Sequence, residues 1–302
     1  MITKTLALRR NPTTVPKRMS RALSFSLTLL AMLAFAGNSL LCRLALKSTS
    51  IDPASFTAIR LVSGALVLAL ISRLRGGRLV GAGAGSWRSA LALFAYVAGF
   101  SYAYVSLSAA TGALLLFGAV QATMIGYGLW AGERLDARQT VGLLMAFGGL
   151  ASLLLPGLSA PPLAGALLML GAGVAWGIYS LRGRAAGDPT QVTAGNFLRA
   201  APIALALSAL TLPWQSLDGA GVAYALASGA IASGMGYAVW YTALRGLTAT
   251  HAASAQLSVP LLATLGGIAL LGEPASWRLV WASVAILGGL ALVLVQRAAA
   301  RR

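Results

Sequence analysis

The sequence predicts an all-α integral membrane fold: ten transmembrane helices arranged as two inverted five-helix repeats. Three observations carry this expectation. Of the 302 residues, 58% are hydrophobic and only 10% charged, with a mean hydropathy of +0.80, whereas soluble domains carry about a quarter charged residues. Apolar runs of about 20 residues, long enough to cross roughly 30 Å of hydrocarbon, recur between charges, Pro and Gly. The last third of the chain also repeats the middle third. At a constant offset of 140, residues 103–154 share 13 identities with 243–294 without a gap, against roughly five expected by chance in so Ala/Leu/Gly-rich a chain.

Each element has its own boundary signals. The first run, 23–46, follows Arg18 and Arg21. It imitates a signal peptide around Ala34-Phe35-Ala36 but continues to Leu46, so it is expected to stay as a helix. The second, 54–72, starts after Asp52-Pro53, and the third, 89–107, after Arg88. The fourth, 109–131, closes at Gly132-Glu133. The fifth, 139–155, lies between Arg138 and Pro156. In the second half, 163–181 follows Pro161-Pro162 and stops at Arg182, and 193–212 follows Asp188-Pro189. The remaining runs are 221–244 after Asp218, 249–271 before Gly272-Glu273-Pro274, and 277–295 before Arg297. The expected organisation is a basic tail (1–21), repeats at 22–156 and 160–296, and a basic C-terminus (297–302). Residues 1–18 lack any hydrophobic period and are expected to be unstructured, unless Met19 is the true start.

The net charge of +17 is explained by placement rather than by nucleic acid. With the N-terminus inside, 18 of the 23 Lys and Arg residues fall in the tail, the loops of that face and the C-terminus. The exceptions are Arg43, Lys47, Arg60, Arg199 and Arg278. The positive-inside rule then puts both termini in the cytoplasm and demands an even helix count, in the inner (plasma) membrane. A basic face suits anionic lipid. Because five is odd, the second repeat enters the bilayer in the opposite sense. Inverted repeats of this kind provide alternating access, so transport is the expected function. An intramembrane enzyme would need a nucleophile–base pair or metal cluster at depth. The one histidine, His251, has no Cys or carboxylate at ligand spacing. No metal, no cofactor, no catalytic residue and no nucleic-acid partner are expected. The partners are a small-molecule substrate and membrane lipid, and homo-oligomerisation stays open.

A family resemblance rests on particular residues. Ala243-Leu244, Pro260-Leu261-Leu262-Ala263, Leu271-Gly272-Glu273-Pro274 and Ile286-Leu287-Gly288-Gly289 resemble the EamA domain, the repeating unit of ten-helix members of the drug/metabolite transporter superfamily. The likeness covers about residues 23–296. It implies a cavity among the first four helices of each half, a peripheral fifth helix, and efflux of amino acids, other metabolites or drugs. Multidrug efflux and nucleoside- or sugar-type uptake are alternatives on the same fold. Val120 stands where the second copy has Pro260, so a helix break is expected only in the second half.

The candidate residues are those that are costly in lipid. None of the six acidic residues lies mid-helix. Carboxylate-coupled proton exchange, which the resemblance brings to mind for small multidrug relatives, is therefore disfavoured, as is a strongly cationic substrate. The embedded charges are Arg60 and Arg199, each about two turns into its helix. They either meet a carboxylate or lend potential to a vestibule or gate; otherwise they snorkel or bind helix-end carbonyls. The expected substrate-binding set is Asn38, Phe100, Gln121, Trp176, Tyr179, Asn196, Trp240, Tyr241 and Gln256. Ser39, Tyr96 and Tyr237 follow the same logic, amides and aromatics at mid-depth suiting an amphipathic organic solute. Tyr104, Trp87 and Trp277 read as an interfacial belt. Gly142, Ala146 and the Gly148-Gly149 and Gly288-Gly289 pairs read as close packing. Cys42 reads as a free buried thiol, and Gly81–Gly85 as a flexible loop.

Overall fold

A computed structural model describes residues 20–75, 84–132, 134–155, 160–183, 188–244, 247 and 255–299. His251, Glu133 and Gly81–Gly83, each the subject of an expectation above, lie outside them. The described residues contain helices and no strand. The helices are α1 (Arg21–Ser48), α2 (Pro53–Leu74), α3 (Trp87–Tyr104), α4 (Ala109–Trp130), α5 (Ala137–Leu154), α6 (Leu163–Gly183), α7 (Pro189–Leu210), α8 (Gly219–Leu244), α9 (Ser258–Leu271) and α10 (Trp277–Ala299). Seven are long and apolar enough to cross a membrane: α1, α2 and α4 to α8. The apolar stretches of α9 and α10 are shorter. This is a multi-pass membrane protein.

Local chemistry explains the boundaries. Ser20, Ser86 and Ser108 cap α1, α3 and α4, their hydroxyls accepting from the N–H of Leu23, Ser89 and Thr111. Asp52 and Asp188 do the same for α2 and α7, each followed by a Pro at the first helical position, where no N–H is needed. Asp136 and Gln139 form a reciprocal capping box on α5. Hydroxyls inside the helices turn back on their own backbone. Thr57 donates to the Pro53 carbonyl (2.7 Å) and Ser101 to that of Val97 (2.9 Å), satisfying polar groups where no water is available.

The repeated Gly-Glu pair is explained at the end of α9. Gly272 takes φ +62°, the left-handed cap that an ordinary side chain resists, and Gly132 in the first copy takes φ +90°. The cap reverses the chain, and the Glu273 N–H donates to the Gly267 carbonyl (3.0 Å). The Glu273 side chain then turns inward and is buried.

The packing is reciprocal between the two halves. Helix α5 lies along α10, α2 along α7, and α4 against α9. Helix α3 packs on α6 as α8 packs on α1; α4 packs on α6 as α9 packs on α1; and α3 packs on α7 as α8 packs on α2. Exchanging each helix for its counterpart five places on leaves these pairings unchanged. At the α5–α10 crossing, a Cβ on Gly142 would lie 2.5 Å from the Gly289 carbonyl oxygen, so these backbones touch because both side chains are absent.

Two elements break the correspondence. Helix α8 is π-helical over Ala227–Met235, between α-helical Gly219–Leu226 and Gly236–Leu244. Residues 255–256 are helical, the chain turns at Leu257, and α9 restarts at Ser258 with Pro260 in its first turn. Proline fits there because a first-turn residue has no intrahelical N–H bond to lose. The counterpart α4 is continuous. One expectation is corrected: Tyr104 is no interfacial residue but completely buried, its hydroxyl donating to the Ala109 carbonyl (3.3 Å). Trp87 and Trp277 are exposed.

Candidate functional site

A cavity opens where α1, α2, α3, α4, α6, α8 and the segment leading into α9 converge. The first half lines it with Phe35, Asn38, Ser39, Arg60, Tyr96, Phe100, Leu116 and Phe117. The second half adds Trp176, Ala232, Ser233, Tyr237 and Gln256. No lining residue comes from α5 or α10. The volume open to the centre of a water-sized sphere is about 30 Å³, room for roughly two waters.

One wall is a connected set of rings with Trp176 at its centre. Its ring centroid lies 4.8 Å from Tyr96, 5.3 Å from Tyr179 and 5.5 Å from Tyr237. Tyr96 continues to Phe100 at 5.5 Å, and Tyr237 meets Phe35 at 5.6 Å. Offset and tilted pairs at these distances are favourable beyond the area they bury. Helical spacing places the rings: Tyr96 and Phe100 are four apart on α3, as are Tyr237 and Tyr241 on α8.

Two of the polar groups at the cavity, Asn38 and Arg60, are held by α8. Asn38, buried, accepts a 2.6 Å hydrogen bond at Oδ1 from the hydroxyl of Ser228. The Ser233 hydroxyl accepts from Arg60 Nε at 3.2 Å. Both serines lie in the π-helical stretch, a helix form that recurs at functional sites. Arg60 is only 1% exposed. Its Nη2 donates to the Tyr96 hydroxyl (3.2 Å), and its guanidinium carbon sits 5.0 Å from the Phe100 ring centroid and 5.5 Å from that of Tyr96. Its Nη1 is buried without a hydrogen-bond partner among the described residues.

Among the described residues no carboxylate compensates this charge, and the reason lies in the helix starts. Each of the five described acidic residues accepts a backbone N–H at the beginning of a helix. Asp52, Asp136, Asp188 and Asp218 serve α2, α5, α7 and α8. Glu273 accepts from the Ala109 N–H at the start of α4 through both oxygens (3.1 and 2.9 Å). Glu273 also makes the single ion pair among the described residues, with Arg43 Nε at 3.1 Å. Arg43 Nη1 in turn donates to the carbonyls of Tyr104 (2.9 Å) and Val105 (3.2 Å). This latch ties α1, the α3–α4 turn and the end of α9 together.

The structure therefore divides the residues singled out in the sequence. Asn38, Phe100, Trp176 and Gln256 meet at the cavity, and Arg60 joins them as a wall residue. Tyr179 and Tyr241 stand behind the wall, backing Trp176 and Tyr237; their hydroxyls accept from Asn196 Nδ2 (3.4 Å) and Thr193 (3.2 Å). Asn196, Gln121 and Trp240 are buried but do not line the cavity. Asn196 Oδ1 accepts the Ser86 N–H (2.9 Å) and so fixes the start of α3, while Trp240 packs edge-on behind Phe35. Arg199 diverges from Arg60: its Nη1 donates to the Ala84 (2.6 Å) and Gly195 (2.9 Å) carbonyls. Phe35, Leu116, Phe117, Ala232 and Ser233 were not anticipated. The repeat offset contained one signal for them, since Leu116 is the counterpart of Gln256.

Residues 23–155 and 163–295 each match the EamA-like transporter family. A relative from Pseudomonas aeruginosa, described as uncharacterized protein PA1977, is 62% identical over 271 residues, covering 90% of this chain and 94% of its own. A solved crystal structure shares the fold at a TM-score of 0.65 and 23% identity, over 92% of this chain and 99% of that one.

Proposed function

Because this chain belongs to the EamA-like transporter family, within the drug/metabolite transporter superfamily, we propose that it is an inner-membrane exporter of small amphipathic metabolites such as amino acids, working by alternating access. In this reading all ten helices span the bilayer, the two repeats are inverted, and both termini are cytoplasmic. The Arg43–Glu273 latch then lies at the outer end. The observation that carries the proposal is a narrow cavity walled from both halves, set within helix pairings that survive exchange of those halves. Such a site can be reached from either side in turn if the halves swap conformations. The ring wall supplies apolar area, and Asn38, Ser39, Ser233 and Gln256 supply hydrogen bonds that orient a solute.

Counterflow in liposomes tests this. Purified protein should exchange labelled amphipathic metabolites down their gradient, and Trp176→Ala, which removes the centre of the ring wall, should change the order of preference among them. Flux indistinguishable from protein-free liposomes for every such solute, from protein shown to be folded, would refute it. Conversion of the solute to a product would point to an enzyme instead.

A further inference from the structure

We infer that Arg60 is the docking point for the single negative charge of the transported solute, and that the preferred cargo is an amphipathic monocarboxylate rather than a cation, a neutral solute or a zwitterion. The inference rests on the transporter reading above and narrows its substrate class, replacing the zwitterionic amino acids named there with solutes that carry one carboxylate and no ammonium.

The first ground is an uncompensated buried charge. A guanidinium is always protonated, and burying it without a counter-ion is costly. Arg60 is 1% exposed and has no carboxylate partner among the described residues. Ser233 and the Tyr96 hydroxyl occupy Nε and Nη2, and the rings of Tyr96 and Phe100 offset part of the charge. These contacts hold the side chain in one pose and leave Nη1, buried and unpartnered, on a residue that lines the cavity. A solute anion would supply both the missing acceptor and the missing charge.

The second ground is the surroundings of that charge. One uncompensated positive charge is neutralised by one negative charge, whereas a phosphate dianion would leave a net negative charge among aromatic rings. The open volume of about 30 Å³ matches a head group of two oxygens, and the ring wall suits an apolar body once it parts. A zwitterion's ammonium would find no free carboxylate among the described residues, since all five lie on helix starts. Ring faces alone would receive it.

Matched solutes separate these terms. Binding of 3-phenylpropionate, its neutral amide, phenylalanine, phenyl phosphate and chloride would be measured by calorimetry on wild-type protein in nanodiscs, and flux of the same solutes in liposomes. Wild-type protein should bind the acid at least about tenfold more tightly than the amide, as expected for one charge-assisted hydrogen bond at a desolvated site. Phenylalanine and phenyl phosphate should both be weaker than the acid. Arg60→Gln should level acid and amide while still binding the amide, which also shows the variant to be folded. Arg60→Lys should keep the order with a smaller ratio. Equal affinity for acid and amide in wild-type protein, no binding of either, a preference for phenyl phosphate, or displacement of the acid by chloride at matching concentration would each overturn the inference. So would an acid preference that survives in Arg60→Gln. Binding without flux would sink the transporter reading and leave the anion site standing. Equal flux of acid and amide would do the reverse.

Discussion

Replacing Glu273 with Gln tests whether the latch between Arg43 and Glu273 holds one end of the bundle closed. The substitution keeps the shape and one acceptor for the Ala109 N–H. It also turns an amide donor toward the Arg43 guanidinium, whose Nε now lies 3.1 Å from a carboxylate oxygen. Both partners are buried, and removing one partner of a buried pair costs about 3–5 kcal/mol. The carbonyls of Tyr104 and Val105 continue to receive Arg43 Nη1, so the low end, about 3 kcal/mol, applies. If closure rests on this pair, the open population rises roughly a hundredfold. The native chain contains its own reporter. Cys42 is the one cysteine in the sequence, is fully buried, and immediately precedes Arg43. Its alkylation by a small thiol reagent should therefore speed up by about two orders of magnitude in Glu273→Gln. The double variant Arg43→Gln/Glu273→Gln should lose less stability than the two single losses added together, because no charge is left stranded. A fall in melting temperature with unchanged Cys42 alkylation would show that the pair staples the fold without gating it. Unchanged values for both would refute the reasoning altogether.

Two further outcomes are expected. Gly142→Val should push α5 and α10 apart, since even a Cβ there would meet the Gly289 carbonyl oxygen at 2.5 Å; a loss of about 1–3 kcal/mol, seen as a lower melting temperature, should leave solute preference unaltered because neither helix lines the cavity. In a Cys42→Ala background, Trp214→Cys in the α7–α8 connection should react with an impermeant thiol reagent in intact cells and Arg134→Cys should not; the opposite pattern would reverse the proposed topology.

The helices were legible in the sequence because lipid leaves few choices. A run such as 109–131 must satisfy its own backbone hydrogen bonds, and Gly132 marks where it stops as the Asp-Pro pairs mark where α2 and α7 start. The site was legible only in part, because depth along a helix does not fix which way a side chain faces. Trp176 and Gln256, both half-buried, reach the cavity, whereas Gln121 and Asn196, as polar as Gln256 but buried, do not. The π-helical stretch explains part of the shortfall. Widening α8 over Ala227–Met235 sends Ser228 to Asn38 and Ser233 to Arg60, and a reading at 3.6 residues per turn has no access to that shift. The burial of Glu273 was equally hidden. The Gly-Glu repeat marked a helix end, but only the folded chain brings Arg43 and the start of α4 to it.

The exchange symmetry of the helix pairings has an energetic consequence. A rearrangement that loosens one set of interfaces and tightens its counterparts replaces like with like, so the two arrangements differ little in energy through these shared contacts. The sign of the remaining difference is left to the departures from that symmetry, among them Arg60, which faces the cavity while Arg199 binds backbone carbonyls, the π-helical stretch of α8 and the turn at Leu257. A balance between nearly degenerate arrangements moves by tenfold for about 1.4 kcal/mol, well within what one substitution supplies. If the protein works by alternating access as proposed, its resting preference is set by these asymmetries, and single changes at those positions can reverse it.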